Sequence, residues 1–162
     1  MSKLIIIDDS NCKEELNSFL DSNAECIKLL ISEDEYNINI DTLIEKLQAS
    51  FSDQQILFFG TSNNVIKVTI NQVKYLQLNN SQVELFLVNG DSHILPQDIE
   101  YYKTKLEKHN IIQINSKTLI NCRIVDKFLI PEEQIFLTKG DSFMVDNKHI
   151  QNILTKLNNI EI

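Results

Sequence analysis

The residues of this chain that could do chemistry are three histidines, three cysteines, an acidic pair near the start and two Asp-Ser steps. His93, His109 and His149 stand far apart, and none has a second ligand at metal-binding spacing, whereas zinc takes three or four convergent donors. Cys12, Cys26 and Cys122 contain no C-x-x-C pair and read as small apolar residues of a reducing, cytoplasmic compartment. Ser92 and Ser142 each follow an Asp in a turn, where such a pair serves local backbone bonding, and no motif supplies a serine nucleophile with a base. The G-x-G-x-x-G, Walker A, H-E-x-x-H and G-x-S-x-G patterns are missing. Asp8-Asp9 closes an apolar run, where adjacent carboxylates can hold Mg²⁺ or simply face solvent as an acidic strand end. The expectation is a protein that is not an enzyme, with no catalytic residue, no metal site and no cofactor.

Composition points to a folded globular chain: of 162 residues 43% are hydrophobic, and there are only 3 Gly and 2 Pro. No apolar run approaches the ~20 residues of a membrane helix. Ile5-Ile6-Ile7 runs straight into Asp8-Asp9, so neither a secretory signal nor a membrane partner is expected. The net charge of −8 is lopsided. Residues 1–53 carry 4 Lys/Arg against 12 Asp/Glu, and residues 54–162 carry 11 of each, which marks a boundary near Ser52-Asp53. An acidic segment joined to a neutral one is not the profile of a nonspecific polyanion binder.

The elements that must position any site follow from periodicity. Lys3–Ile7 and Cys26–Ile31 read as buried strands. A helix lies between them, capped by Asn11 with Glu14 three residues on and apolar at Cys12, Leu16, Phe19 and Leu20. Glu33-Asp34-Glu35 is an acidic loop, and Asp41 caps a second helix with Leu43, Ile44, Leu47 and Phe51 on one face. This small N-terminal β-α-β-α segment, residues 1–53, is too short to be stable alone and should dock on the second part or on another copy. From Gln55 strands dominate, at Ile56–Phe59, Val65–Ile70, Val73–Leu78 and Val83–Val88. Asn89-Gly90 is the strongest hairpin signal, a type I′ turn needing φ > 0 at both residues. Pro96 stops the return strand and starts a helix with Ile99, Tyr102 and Leu106 on its apolar face and Lys105, Lys108 and His109 in its last turns. Ile111–Phe128 follows as a strand pair around Asn115-Ser116-Lys117. A second hairpin runs through Lys139-Gly140, and Asp146 caps a last helix with Ile150, Ile153, Leu154 and Leu157. Phe86-Leu87-Val88-Asn89-Gly90-Asp91-Ser92 is echoed fifty positions later by Phe136-Leu137-Thr138-Lys139-Gly140-Asp141-Ser142. Two copies are too few for a solenoid, so they read as two hairpins flanking a central strand pair.

Several strings in residues 54–162 resemble the LytTR-type DNA-binding domain, the effector half of many bacterial response regulators. They are Val73-Lys74-Tyr75-Leu76, the strand and turn Val83–Gly90, the helix Pro96–His109 and the string Ile112–Asn121, with Asn121 and Leu119-Ile120 as its most specific points. The hairpin through Lys139-Gly140-Asp141 and the closing helix complete the likeness. It implies an elongated, mainly β fold of several sheets with flanking helices, and loops set in successive major grooves of double-stranded DNA. By position the contacts fall on Asn80 and Gln82, on Asn115, Ser116 and Lys117, and on Asn147 and Lys148. Asn and Gln can pair with adenine, and Lys with guanine or phosphate. Where the family carries His-Arg-Ser and Ser-Arg-Arg, this chain has Asn115-Ser116-Lys117 and Asp146-Asn147-Lys148, two Lys in place of three Arg, with one negative charge gained. The opening Ile5–Asp9 resembles the first strand of a response-regulator receiver domain, but the phosphoacceptor Asp and the Lys-Pro of a receiver have no counterpart. The segment is then a truncated receiver that docks or dimerises.

The reading that results is a cytoplasmic transcriptional regulator, expected as a homodimer, that binds duplex DNA through polar loops and lacks a phosphorylatable receiver. A second reading keeps the scaffold and gives up DNA, leaving an interaction module or antagonist.

Overall fold

The computed structural model describes residues 2–7, 26–31, 45, 48, 55–61 and 64–160. They fall into two compact units, Met1–Ile70 and Asn71–Ile162.

In the first unit, β1 (Ser2–Ile7) and β2 (Cys26–Ile31) lie where the apolar runs placed them and pair in parallel. Strands β3 (Ile56–Gly60) and β4 (Asn64–Thr69) complete the sheet in the order β1-β2-β4-β3, with β2 antiparallel to β4. The Ser52-Asp53 boundary therefore falls inside this unit. Charge marks what faces solvent, whereas the sheet is held by apolar strands on both sides of that point, and Leu57, Phe58, Phe59, Val65, Ile66 and Val68 are all buried. The helices expected after Asn11 and Asp41, and the acidic loop at 33–35, lie outside the described residues apart from Glu45 and Gln48, both helical. The Gln48 amide serves β3 from both ends. Its Nε2 donates to the Ile56 carbonyl at 2.9 Å, and its Oε1 accepts from the Phe58 N–H at 3.3 Å.

The second unit is mostly strand. Strands β5 (Val73–Asn79), β6 (Gln82–Leu87), β7 (Ser92–Leu95), β8 (Ile111–Asn115) and β9 (Thr118–Asn121) form an antiparallel sheet in the order β7-β6-β5-β9-β8. A separate sheet holds β10 (Val125–Leu129), β11 (Gln134–Leu137) and β12 (Ser142–Met144). The expected central strand pair is thus an edge pair. A 3₁₀ turn at Cys122–Ile124, begun by Asn121 accepting from the Arg123 N–H at 3.0 Å, breaks the chain between the two sheets. One face of the larger sheet presents Tyr75, Ile112, Ile114 and Ile120. These share a core with Ile135, Leu137 and Val145 and with Ile153 of helix α2 (Ile150–Asn159). Tyr75 stacks on Phe86 at 4.5 Å and meets Phe143 edge-on at 4.8 Å, contacts of about 0.5–1.5 kcal/mol each beyond their buried area. The other helix, α1 (Ile99–Leu106), buries Tyr102 and Leu106 as its spacing requires.

The fifty-residue echo extends to the register. Leu85, Phe86 and Glu84 pair with His93, Ser92 and Ile94, and Ile135, Phe136 and Gln134 pair with Phe143, Ser142 and Met144. A register shift follows Val73 in one copy and Val125 in the other. Ser92 donates to Glu84 at 2.8 Å and Ser142 accepts from Gln134 at 3.3 Å, so these serines hold cross-strand side-chain bonds rather than backbone ones.

Turn and cap chemistry departs from the expectation in three places. Asn89-Gly90 is not the type I′ turn: only Gly90 has positive φ, at +97°, and its N–H reaches the Leu87 carbonyl at 3.0 Å. This is a type I turn closed by a G1 bulge, with glycine at the left-handed position. The two-residue turn with both residues left-handed lies instead between β5 and β6, at Asn80 (φ 48°) and Ser81 (φ 68°). Ser81 carries no glycine signal, which hides it in the sequence. Pro96 does not begin α1. Asp98 caps it, its carboxylate accepting from the Tyr101 N–H at 2.8 Å. Asp146 precedes a 3₁₀ turn at Asn147–His149 and accepts through its carbonyl, from the His149 N–H at 2.9 Å, without a side-chain cap bond.

Ser81 occupies a conformation that costs an L side chain roughly 1 kcal/mol. Ser81→Gly should therefore stabilise the chain by about 0.5–1 kcal/mol, read as a higher denaturation midpoint at unchanged slope.

Candidate nucleic-acid interface

Antiparallel pairing decides which turns share an end of the larger sheet. β5 ends at Asn79 and β6 begins at Gln82, so the Asn80-Ser81 turn closes one end. β9 pairs Thr118 with Gln77 of β5, and the Leu78 N–H donates to the Lys117 carbonyl at 2.8 Å. The Ser116-Lys117 turn between β8 and β9 therefore emerges beside the first turn. The third segment arrives from the other sheet. The Asp146 N–H donates to the Ile114 carbonyl at 2.8 Å, and the Asn115 amide donates to the Met144 carbonyl at 2.8 Å. Asn147 and Lys148 follow directly. Three polar segments far apart in sequence thus meet at one end of the strand-rich unit.

Of the residues singled out in the sequence, Asn80, Gln82, Ser116, Lys117, Asn147 and Lys148 are exposed. Among the described residues neither Lys117 nor Lys148 forms an ion pair, whereas Lys74 is held by Asp141 and Lys103 by Glu100 at 3.5 Å. Asn115 differs. It is half-buried and its Oδ1 accepts from the Lys117 N–H at 2.9 Å, so both ends of its carboxamide are engaged with backbone. The electrostatics of the third segment bring in a residue the sequence reading missed. Burial lowers the pKa of His149, the charge of Lys148 lowers it further, Asp146 opposes the shift, and Lys103 of α1 adds to it. Lys103 therefore lies in the field of this segment. Its place beside the apolar position Tyr102, at the rim of the buried helix face, was the available signal.

Asn121, the most specific point of the family string, is no surface reader. It is fully buried, and its Nδ2 donates to the Val73 carbonyl at 2.9 Å, joining the end of β9 to the start of β5. Beside it Cys122 is a buried thiol whose pKa burial pushes up to about 12 from an ordinary 9.0, against a lowering by Lys156. Among the described residues no three His, Cys, Asp or Glu side chains gather as a metal site. No described helix is long and apolar enough to cross a membrane.

The three turn segments thus form an exposed cluster of amide and ammonium groups at one end of the unit. The model of the LytTr DNA-binding domain family matches residues 63–158, more than half of the chain, and the chain belongs to that family. The match begins just before β4 and leaves the opening segment with Asp8-Asp9 outside it, so the likeness of that segment to a truncated receiver gains no support. Among solved structures the chain is similar to the LytTr DNA-binding domain of a putative methyl-accepting/DNA response regulator from Bacillus cereus. That likeness has a TM-score of 0.53 at 13% identity and covers 66% of this chain and 99% of the other. At that identity it speaks for the fold, mostly β in several sheets with two helices. No curated protein matches the chain.

Two outcomes follow. Asn121→Ala strands the buried Val73 carbonyl and should cost about 1–3 kcal/mol, read as a lower denaturation midpoint. The unfolded chain sheds the Cys122 proton near pH 9.0 while the folded chain keeps it to about 12. The folded state then binds more protons across that window, and stability should fall as pH rises through it. Mass-resolved alkylation at pH 8 should accordingly leave Cys122 unlabelled until denaturant is added.

Proposed function

We propose that this chain is a transcriptional regulator that reads duplex DNA in the major groove with the three turn segments at one end of its larger sheet. The observation that carries this is their convergence on one end of the sheet: Leu78 holds the Lys117 turn beside the Asn80 turn, and Ile114 holds the Asp146 segment beside the Lys117 turn. Asn80, Gln82, Ser116 and Asn147 present amides and a hydroxyl for base edges. Lys117 and Lys148 supply charge for guanine or phosphate. A homodimer would set two such surfaces at a fixed spacing on the duplex, and a DNA partner sets the work in the cytoplasm. The reading includes no phosphorylatable receiver in residues 1–53.

One observation favours a second reading. The segments 115–117 and 146–148 hold two cations and an acid where the family carries more positive charge, and fewer cations mean weaker binding. A protein that pairs with a relative instead of DNA would have this surface.

Gel shift at low salt separates the two. The chain should retard duplex DNA, and Lys148→Ala should weaken the complex and flatten the logarithmic salt dependence by about 0.9. Failure to shift any duplex at about 20 mM salt, where counterion release favours binding most, would leave the interaction reading.

A further inference from the structure

We propose that Asn115 is a positioning residue of the DNA face, one whose carboxamide couples the Ser116-Lys117 turn to the Met144–Lys148 segment so that their two cations are presented together. This rests on the DNA-binding reading above. Asn115 is the last residue of β8, directly after a register shift between Gln113 and Asn115. Such bulges re-aim a side chain at the end of a strand. Its Oδ1 accepts from the Lys117 N–H at 2.9 Å, two residues on, which fixes the turn as an Asx turn does. Its Nδ2 donates at 2.8 Å to the Met144 carbonyl, 29 residues away in the other sheet. One residue back, the Ile114 carbonyl accepts from the Asp146 N–H at 2.8 Å. Side chain and backbone thus staple the same two segments side by side.

Bidentate pairing of an asparagine with adenine uses Oδ1 and Nδ2 together, and here each is committed to a backbone group on a different element. Carboxamide chemistry is what the place requires. Aspartate has no donor for Met144, serine cannot reach both partners, and leucine offers neither bond. The remaining contact candidates are exposed, and the link from Asn115 acts through them.

The test is a double-mutant cycle on the full chain, with a duplex selected by the wild type from a random pool. Asn115→Ala should weaken binding about tenfold, the scale of one to two lost hydrogen bonds, and should flatten the logarithmic salt dependence by about 0.9 as Lys148→Ala does, because the displaced ammonium no longer neutralises its phosphate. Lys148→Ala should cost about fivefold in the wild type and less than about twofold once Asn115 is replaced, since Lys148 is then no longer held in place. Asn115→Ser, which keeps an acceptor for Lys117 and loses the reach to Met144, should abolish the coupling equally. Additive losses in the cycle would overturn the proposal, as would a loss confined to one base position of the duplex, the mark of a direct reader. If the wild type retards no duplex, the DNA-binding reading fails separately, and amide exchange of the free chain decides the link. Faster exchange at both Lys117 and Asp146 in Asn115→Ala, with the core amide of Leu85 unchanged, sustains it. Faster exchange at Lys117 alone ends it.

Discussion

The second unit depends on covering one face of its five-stranded sheet. Tyr75, Ile112, Ile114 and Ile120 stand on that face and must be buried together, and the partners are the smaller sheet and α2 through Ile135, Leu137, Val145 and Ile153. Because strand side chains alternate, a slip of one residue would turn the whole set outward. The register shifts after Val73, Gln113 and Val125 are therefore part of the design, each placing the following residues on the required side. Once this face is fixed, the ends of the strands are fixed as well, and the turns have no freedom to choose their neighbours.

The placing of the polar turns follows from that constraint more than from any single residue. The larger sheet brings the turns at Asn80 and Lys117 together through β5 and β9, and the smaller sheet delivers Asn147 and Lys148 because it packs on the same core. Asn121, buried and tied to Val73, holds the opposite end of β9. A specific sequence position can thus mark the family by its place in the buried frame. The charge at this end of the sheet is sparse. Lys117 and Lys148 are exposed, Lys103 enters from α1, and Asp146 and Glu100 stand close to them.

Much of this was legible in the chain. Alternation at Val83, Leu85 and Leu87 and the helical spacing of Tyr102 and Leu106 report burial directly, because burial is what selects those residues. The Phe86 and Phe136 strings announced a repeated hairpin. What stayed hidden was decided by partners distant in sequence. Asn80-Ser81 carries no glycine, yet the pairing of Asn79 with Gln82 forces both residues left-handed. Asn89-Gly90 carries the stronger local signal and adopts a different turn, since one left-handed glycine suffices there. The strand pair at 111–121 looked central because it is central in sequence, whereas sheet order is set by which edge is free. The committed amide of Asn115 was invisible, for its second partner lies 29 residues on.

The repeated hairpin has a consequence for how this surface can change. Leu95, Pro96 and Asp98 in one copy stand at the positions of Val145, Asp146 and Lys148 in the other, after strands of matching register. The frame is duplicated but its tips are not: one follows into an acid that caps α1, the other into a basic turn. The tips can therefore differ residue by residue, while the shared scaffold beneath them needs no revision.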